Sequence, residues 1–286
     1  MAIKSIVAVA TGQSGDARML SFATRLARDF CAAVRVVAAD LDAAEGLIEM
    51  GLAMGAPYTP QIAEAVGEAR AAAAAELRLR CAKACLDDDV PFGDANAAPG
   101  VSVHEPPPSI PVSLPHAVGL TDLVLIGQDF VDNIGRQQGV EAEILLDLRT
   151  PLFVGRSAPE RPISTVAVAW DGSLEAGRAV RAALPFLQRA GRIVALQSPT
   201  GLDPLGDVSF EALNAYLALH GLAGAERRLL GKGPVAAALC EAAAEDGASM
   251  LVAGAYGASR LREMLFGGVT RALLADARGP SLLLAH

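Results

Sequence analysis

Apolar runs of strand length punctuate the chain, each ending in a turn and passing into a helical pattern. Residues 5–14 read Ser-Ile-Val-Ala-Val-Ala-Thr-Gly-Gln-Ser, and residues 164–173 read Ser-Thr-Val-Ala-Val-Ala-Trp-Asp-Gly-Ser, with six of ten positions identical. An uninterrupted apolar run of this length is the mark of a strand buried on both faces. The segments that follow carry apolar residues at helical spacing, Leu20, Ala23, Ala27 and Phe30 in the first and Ala179, Ala183, Phe186 and Leu187 in the second. Each yields to a second strand, Val34–Ala39 and Arg192–Gln197. The likeness returns near the ends of the two halves. Asp122–Gly127 parallels Ser249–Gly254, and Thr150–Val154 parallels Gly279–Leu283, each closing strand following a helix and opening at a proline.

The order βαβ…βαβαβ therefore occurs twice. Helical crossovers imply parallel pairing with right-handed connections. The polar, proline-punctuated stretch Arg156–Pro162 separates the copies as a linker. The expected domains are 1–156 and 163–286. The first copy is longer because of residues 42–98, where Gly/Pro breaks around Gly51–Pro60 precede a long helix from Ile62 to about Leu86.

Composition fits this pattern. Hydrophobic residues make up 52% and aromatics only 4%, so the core must be built from Ala, Val and Leu. A net charge of −8, with no Lys/Arg-rich block, argues against nucleic acid as a partner. No stretch approaches the roughly 18 apolar residues of a membrane span, and the first apolar run is too short for a signal sequence. A soluble, cytoplasmic protein is expected. Cys81 and Cys85 fall on one helix face and read as small buried hydrophobes, with no second Cys or His pair nearby to complete a zinc site.

Candidate chemistry concentrates after the fourth strand of the second copy. A strand ends at Ala253-Gly254; Gly257 allows a tight turn; nine residues later Gly267-Gly268-Val269-Thr270 opens a helix running to about Asp276. Strand, glycine turn and glycine-rich helix N-terminus form an anion site, because free N–H groups and the helix dipole point at one spot. The Thr270 hydroxyl adds a further hydrogen-bonding group, and Arg260 and Arg262 lie within the loop. Other glycine patterns are turns. Gly231–Ala236 fits a dinucleotide fingerprint in spacing but lacks the acidic ribose partner downstream. The four histidines are scattered and sit in no catalytic motif.

The spacing Gly254, Gly257, Gly267 resembles the ATP-binding branch of the universal stress protein family, with Gly268 where that branch carries Ser or Thr. The resemblance extends over the chain as two copies and is strongest at 163–198 and 249–286. It implies two tandem Rossmann-like α/β/α sandwiches with five-stranded parallel sheets, packed as an intramolecular pseudo-dimer. It implies an adenine nucleotide, ATP with or without Mg²⁺, in the second copy. Asp171, after Ala169 and Trp170, would lie near the ribose and adenine end; Ser198, after the second strand, would lie beside the base. The phosphates would meet Ala253, Gly254, Gly257, Gly267, Gly268, Val269 and Thr270. The first copy lacks the pattern: Gly12 stands for Asp171 and Phe130 for Gly257, and it reads as a degenerate structural partner. Three functions follow as expectations. These are a regulatory ATP-binding module, a slow ATPase with Asp171 a candidate base by placement alone, and a scaffold that binds no nucleotide. Homodimerisation through the apolar edges of Leu152–Val154 or Leu282–Leu284 is a further expectation.

Overall fold

The computed structural model describes residues 2–11, 15–38, 60–104, 118–132, 139–156, 163–198, 210–257 and 268–286. The described residues form two compact units, Lys4–Phe130 and Val131–His286 with Met1–Ile3.

In the Lys4–Phe130 unit, β1 (Ser5–Ala10), α1 (Asp16–Phe30), β2 (Ala33–Ala38), α2 (Pro60–Asp87), β3 (Gly100–Val103) and β4 (Leu123–Gly127) follow in order. The strands lie as β3-β2-β1-β4, all parallel, with Ile6 opposite Val34 on one side and Leu123 on the other. Ile6, Val124 and Leu125 are fully buried, as the unbroken apolar runs predict. The helix expected from Ile62 to Leu86 spans Pro60–Asp87.

In the other unit, β5 (Leu152–Gly155) precedes the second copy. That copy runs β6 (Thr165–Ala169), α3 (Leu174–Leu187), β7 (Arg192–Gln197), α4 (Phe210–Leu219), β8 (Glu226–Leu229), α5 (Val235–Glu245), β9 (Met250–Gly254), α6 (Gly268–Ala275) and β10 (Ser281–Ala285). Its sheet order is β8-β7-β6-β9-β10, parallel throughout. The chain moves outward from β6 through α3 and α4 to β8, then returns through α5 to β9 and continues through α6 to β10. Right-handed crossovers put α3 and α4 on one face and α5 and α6, which touch, on the other. The direction reverses between β6 and β9, and open α/β sheets bind ligands at the carboxyl ends of strands flanking such a switch.

Two findings depart from the sequence-based picture. First, β5 pairs antiparallel with β10, Val154 opposite Leu282 and Leu152 opposite Leu284. β10 thus has a neighbour on each side, β5 and β9, and offers no free edge to a second copy, contrary to the expected homodimer edge at Leu282–Leu284. Leu282, Leu283 and Leu284 are fully buried, each a contribution of about 1.5–3 kcal/mol. The pairing accounts for β5 lying in the Val131–His286 unit.

Second, Arg156 is no linker residue. It is 3% exposed, and its guanidinium donates to the carbonyls of Pro280 (3.2 Å), Leu274 (3.4 Å) and Leu273. Leu273 and Leu274 lie in the last turn of α6, where carbonyls lack intrahelical donors. A cation there also opposes the negative end of the helix dipole. Burial lowers the Arg156 pKa, with Cys240, Asp276 and Asp132 opposing the shift.

Candidate functional site

At the carboxyl end of β6, Ala169 is half-buried and Trp170 buried, its backbone N–H donating to Leu196 across the ladder at 2.9 Å. Asp171, Gly172 and Ser173 then turn the chain into α3. The Asp171 carboxylate accepts from the Ser173 N–H at 2.9 Å, Gly172 takes φ 80°, and the Ser173 hydroxyl caps α3 by accepting from Ala176 N–H at 3.1 Å. Asp171 is thus engaged in an Asx turn through one oxygen. Ser198 follows β7, half-buried.

At the carboxyl end of β9, Ala253 is buried and the chain approaches the start of α3. A Cβ on Gly254 would lie 2.7 Å from Ala176 N and from the Glu175 carbonyl carbon, so packing alone demands glycine here. Ala255 is held to the final strand, its N–H donating to Ala285 at 2.8 Å and its carbonyl lying 2.9 Å from His286 Nδ1. That contact gives His286 a structural partner. Tyr256 takes a left-handed φ of 53°.

The two ends of the loop are tied together. Tyr256 N–H donates to Thr270 Oγ1 at 3.2 Å, and Thr270 is 4% exposed. Thr270 therefore locks the β9 turn to the first turn of α6, and its acceptor capacity serves the fold. Gly268 and Val269, the latter 43% exposed, stand at the surface of that turn. Gly267, Arg260 and Arg262 lie outside the described residues.

Gly257 and Gly268 differ from Gly254. A Cβ on Gly268 would meet nothing within 4 Å among the described residues. One on Gly257 would touch, among the described residues, only the Glu175 carboxylate, at an ordinary 3.7 Å. Neither has the positive φ that favours glycine. Glu175, in the first turn of α3, is the functional neighbour that sequence reasoning missed. An acid at that helix position is common on dipole grounds alone, so spacing gave no signal of it.

The first copy differs at the matching sequence positions. Phe130, where the second copy has Gly257, is 1% exposed, and a Cβ on Gly15 would lie 2.6 Å from the Asp129 carboxyl carbon. Asp129 thus packs against the turn before α1, and Phe130 is buried; Gly12 lies outside the described residues. The Gly231–Pro234 segment joins β8 to α5 as a turn, Gly233 at φ 153°. Cys81 and Cys85 are buried on α2, and desolvation pushes their thiols up to about 12 and 11. They remain protonated at neutral pH, as buried apolar side chains should. Among the described residues no group of three or more His, Cys, Asp or Glu could hold a metal ion, and no helix is long and apolar enough to cross a membrane.

A doubly wound parallel sheet with a glycine turn and a helix N-terminus at its switch point defines an α/β protein of the Rossmann-like class. The universal stress protein family model matches residues 162–284, which cover the second copy except its last two residues. The chain is similar to a universal stress protein from Archaeoglobus fulgidus DSM 4304, 14% identical with TM-score 0.63, over 98% of this chain and 95% of that one. It is 30% identical to a protein of the universal stress protein family from Burkholderia pseudomallei, over 44% of this chain and 98% of that one, with TM-score 0.34. A universal stress protein solved in complex with cAMP is 27% identical, over 44% of this chain and 98% of that one, with TM-score 0.34. No curated protein matches the chain. The chain belongs to the universal stress protein family and carries that family's domain in its second copy.

Proposed function

We propose that this chain is a regulatory stress-response protein that binds ATP, or another adenine nucleotide, at the β9–α6 loop of its second copy. One observation carries the reading. Gly257 and Gly268 are glycines that neither packing nor backbone conformation requires among the described residues, and they flank a helix N-terminus held against the β9 turn by Thr270. Glycine at such places leaves backbone N–H groups open to an anion. Ala169, Trp170, Asp171 and Ser198 close the carboxyl ends of the neighbouring strands, where ribose and base would lie. The second carboxylate oxygen of Asp171 serves a ribose hydroxyl while the first keeps the turn.

Glu175 modifies the reading. Its carboxylate faces Gly257 and would repel a bare triphosphate, so Mg²⁺ should accompany ATP and strengthen its binding. Isothermal titration with ATP, ADP, AMP and cAMP, each with and without Mg²⁺, tests the proposal. Saturable binding that Gly257→Val removes, with the melting temperature retained, is the expected result. Silence toward all four nucleotides would overturn it and leave the scaffold function.

A further inference from the structure

The long helix α2 carries two apolar rows, and its own unit buries one of them. Leu77, Cys81 and Cys85, four residues apart, are buried on the side where α2 packs against α1 and β3. Ala72, Ala75, Leu79, Ala82 and Leu86 form the other row, spaced alternately three and four residues. At about 100° per residue they fall within an arc of roughly 80°, centred about 140° round the helix from the buried row. Leu79 is 68% and Leu86 82% exposed, Ala72 and Ala75 are exposed, and Ala82 is half-buried. A single exposed leucine is ordinary. A three–four alternation kept from 72 to 86 is the seam along which one helix takes another.

The flanks of the seam select its occupant. Glu76 and Lys83 border it on one side and Arg78 on the other, all three exposed. Laid antiparallel on the same helix of another molecule of this chain, Leu79 faces Ala82 and Ala75 faces Leu86. By the two-fold symmetry Ala82 then faces Leu79 and Leu86 faces Ala75. Each of the four layers sets one leucine against one alanine, so the layers are equally thick. On the flank, Glu76 of each molecule faces Lys83 of the other. Glu76 holds Arg80 of its own helix through Oε1 at 3.0 Å, and with its side chain 56% exposed a facing lysine can reach Oε2. A parallel pair in register would instead stack leucine on leucine and alanine on alanine, in layers of unequal thickness. It would also bring Arg78 against Lys83, two like charges.

We propose that α2 is a self-association surface, through which two molecules of this chain pair antiparallel along Ala75, Leu79, Ala82 and Leu86, with Glu76 and Lys83 setting the register. The seam from Ala75 to Leu86 is only about 17 Å long, at 1.5 Å per residue. An interface that short is of the weak, transient kind, so the dimer forms and parts with concentration. The surface belongs to the Lys4–Phe130 unit, and the nucleotide loop belongs to the other.

Sedimentation equilibrium of the full chain at rising concentration tests this. The parent should pass from monomer toward dimer mass. Leu79→Lys puts an ammonium into both central layers and should stay monomeric at every loading. Its thermal melt by circular dichroism should match the parent's, because Leu79 is exposed. Glu76→Lys and Lys83→Glu each turn both flanking attractions into repulsions, and each should weaken self-association about tenfold. Mixed one to one, the lysines of one variant face the glutamates of the other, and the mixture should dimerise as the parent does. A parent that remains monomeric throughout would overturn the proposal. So would Leu79→Lys associating like the parent, which would put the interface on another surface. A mixture that associates no more tightly than either variant alone would overturn the antiparallel register and the proposal with it.

Discussion

Replacing Gly254 with alanine separates a glycine kept for packing from one kept for a ligand. The added Cβ would stand 2.7 Å from Ala176 N and the Glu175 carbonyl carbon, and 2.8 Å from Glu175 Cβ. Two of these three atoms are backbone, so no rotamer change relieves the clash. β9 and the first turn of α3 must part by roughly 0.8 Å to restore van der Waals contact at about 3.5 Å. Overpacking of this kind costs about 1–3 kcal/mol. The loss of glycine's freedom in the unfolded chain returns about 0.4–1 kcal/mol. The expected net destabilisation is about 1–2 kcal/mol. For Gly268→Ala no contact opposes the change, and only the favourable unfolded-chain effect remains. The two substitutions should therefore differ in sign. Urea unfolding followed by Trp170 fluorescence measures both in the unit that contains them, with midpoint shifts read at constant m. A Gly254→Ala protein as stable as Gly268→Ala would refute the packing account and return Gly254 to the ligand.

Three further outcomes are expected. Gly268→Ser adds a hydroxyl into open space at the helix N-terminus and should tighten nucleotide binding by about one hydrogen bond, ~1 kcal/mol or roughly fivefold, by titration calorimetry. Arg156→Ala strips three buried carbonyls of a donor and should lower stability by about 2–4 kcal/mol, and Arg156→Lys by less, because the ammonium keeps a cation and donors there even without the planar fork; urea unfolding of both variants checks this. Burial raises the Cys81 and Cys85 pKa values to about 12 and 11, so the folded state holds these protons more tightly than the unfolded one. Their contribution is complete below about pH 9 and is lost as pH rises through 11–12. Urea midpoints should fall on going from pH 8 to pH 10.5, and at pH 8 exposed Cys31 should react with a thiol reagent well before the buried pair.

The strands were legible because burial on both faces writes an unbroken apolar run, and repetition fixed their pairing by analogy. β6 and β7 begin and end within a residue or so of expectation. The glycine loop was legible as a spacing, but a spacing does not say why each glycine is there. Gly254 answers to Glu175 and Ala176, some 80 residues away, and only three-dimensional proximity reveals it. Thr270 and Asp171 read as ligand groups because their side chains hydrogen-bond, yet each spends that capacity on the backbone first. Arg156 was the hardest to read. A lone arginine amid Ser, Pro and Glu has the look of a linker, and its burial comes from α6 and Pro280, more than a hundred residues later.

The β5–β10 ladder has a consequence for how this protein responds to dilution. A separate 163–286 chain would bare the fully buried Leu282–Leu284 strand, which would recruit a neighbour only as fast as molecules collide. Carried on the same polypeptide, the partner strand is present at an effective concentration set by chain length, on the order of millimolar for short connections. The second copy's closing strand thus stays covered at any abundance of the protein, and its integrity does not depend on how much protein is made.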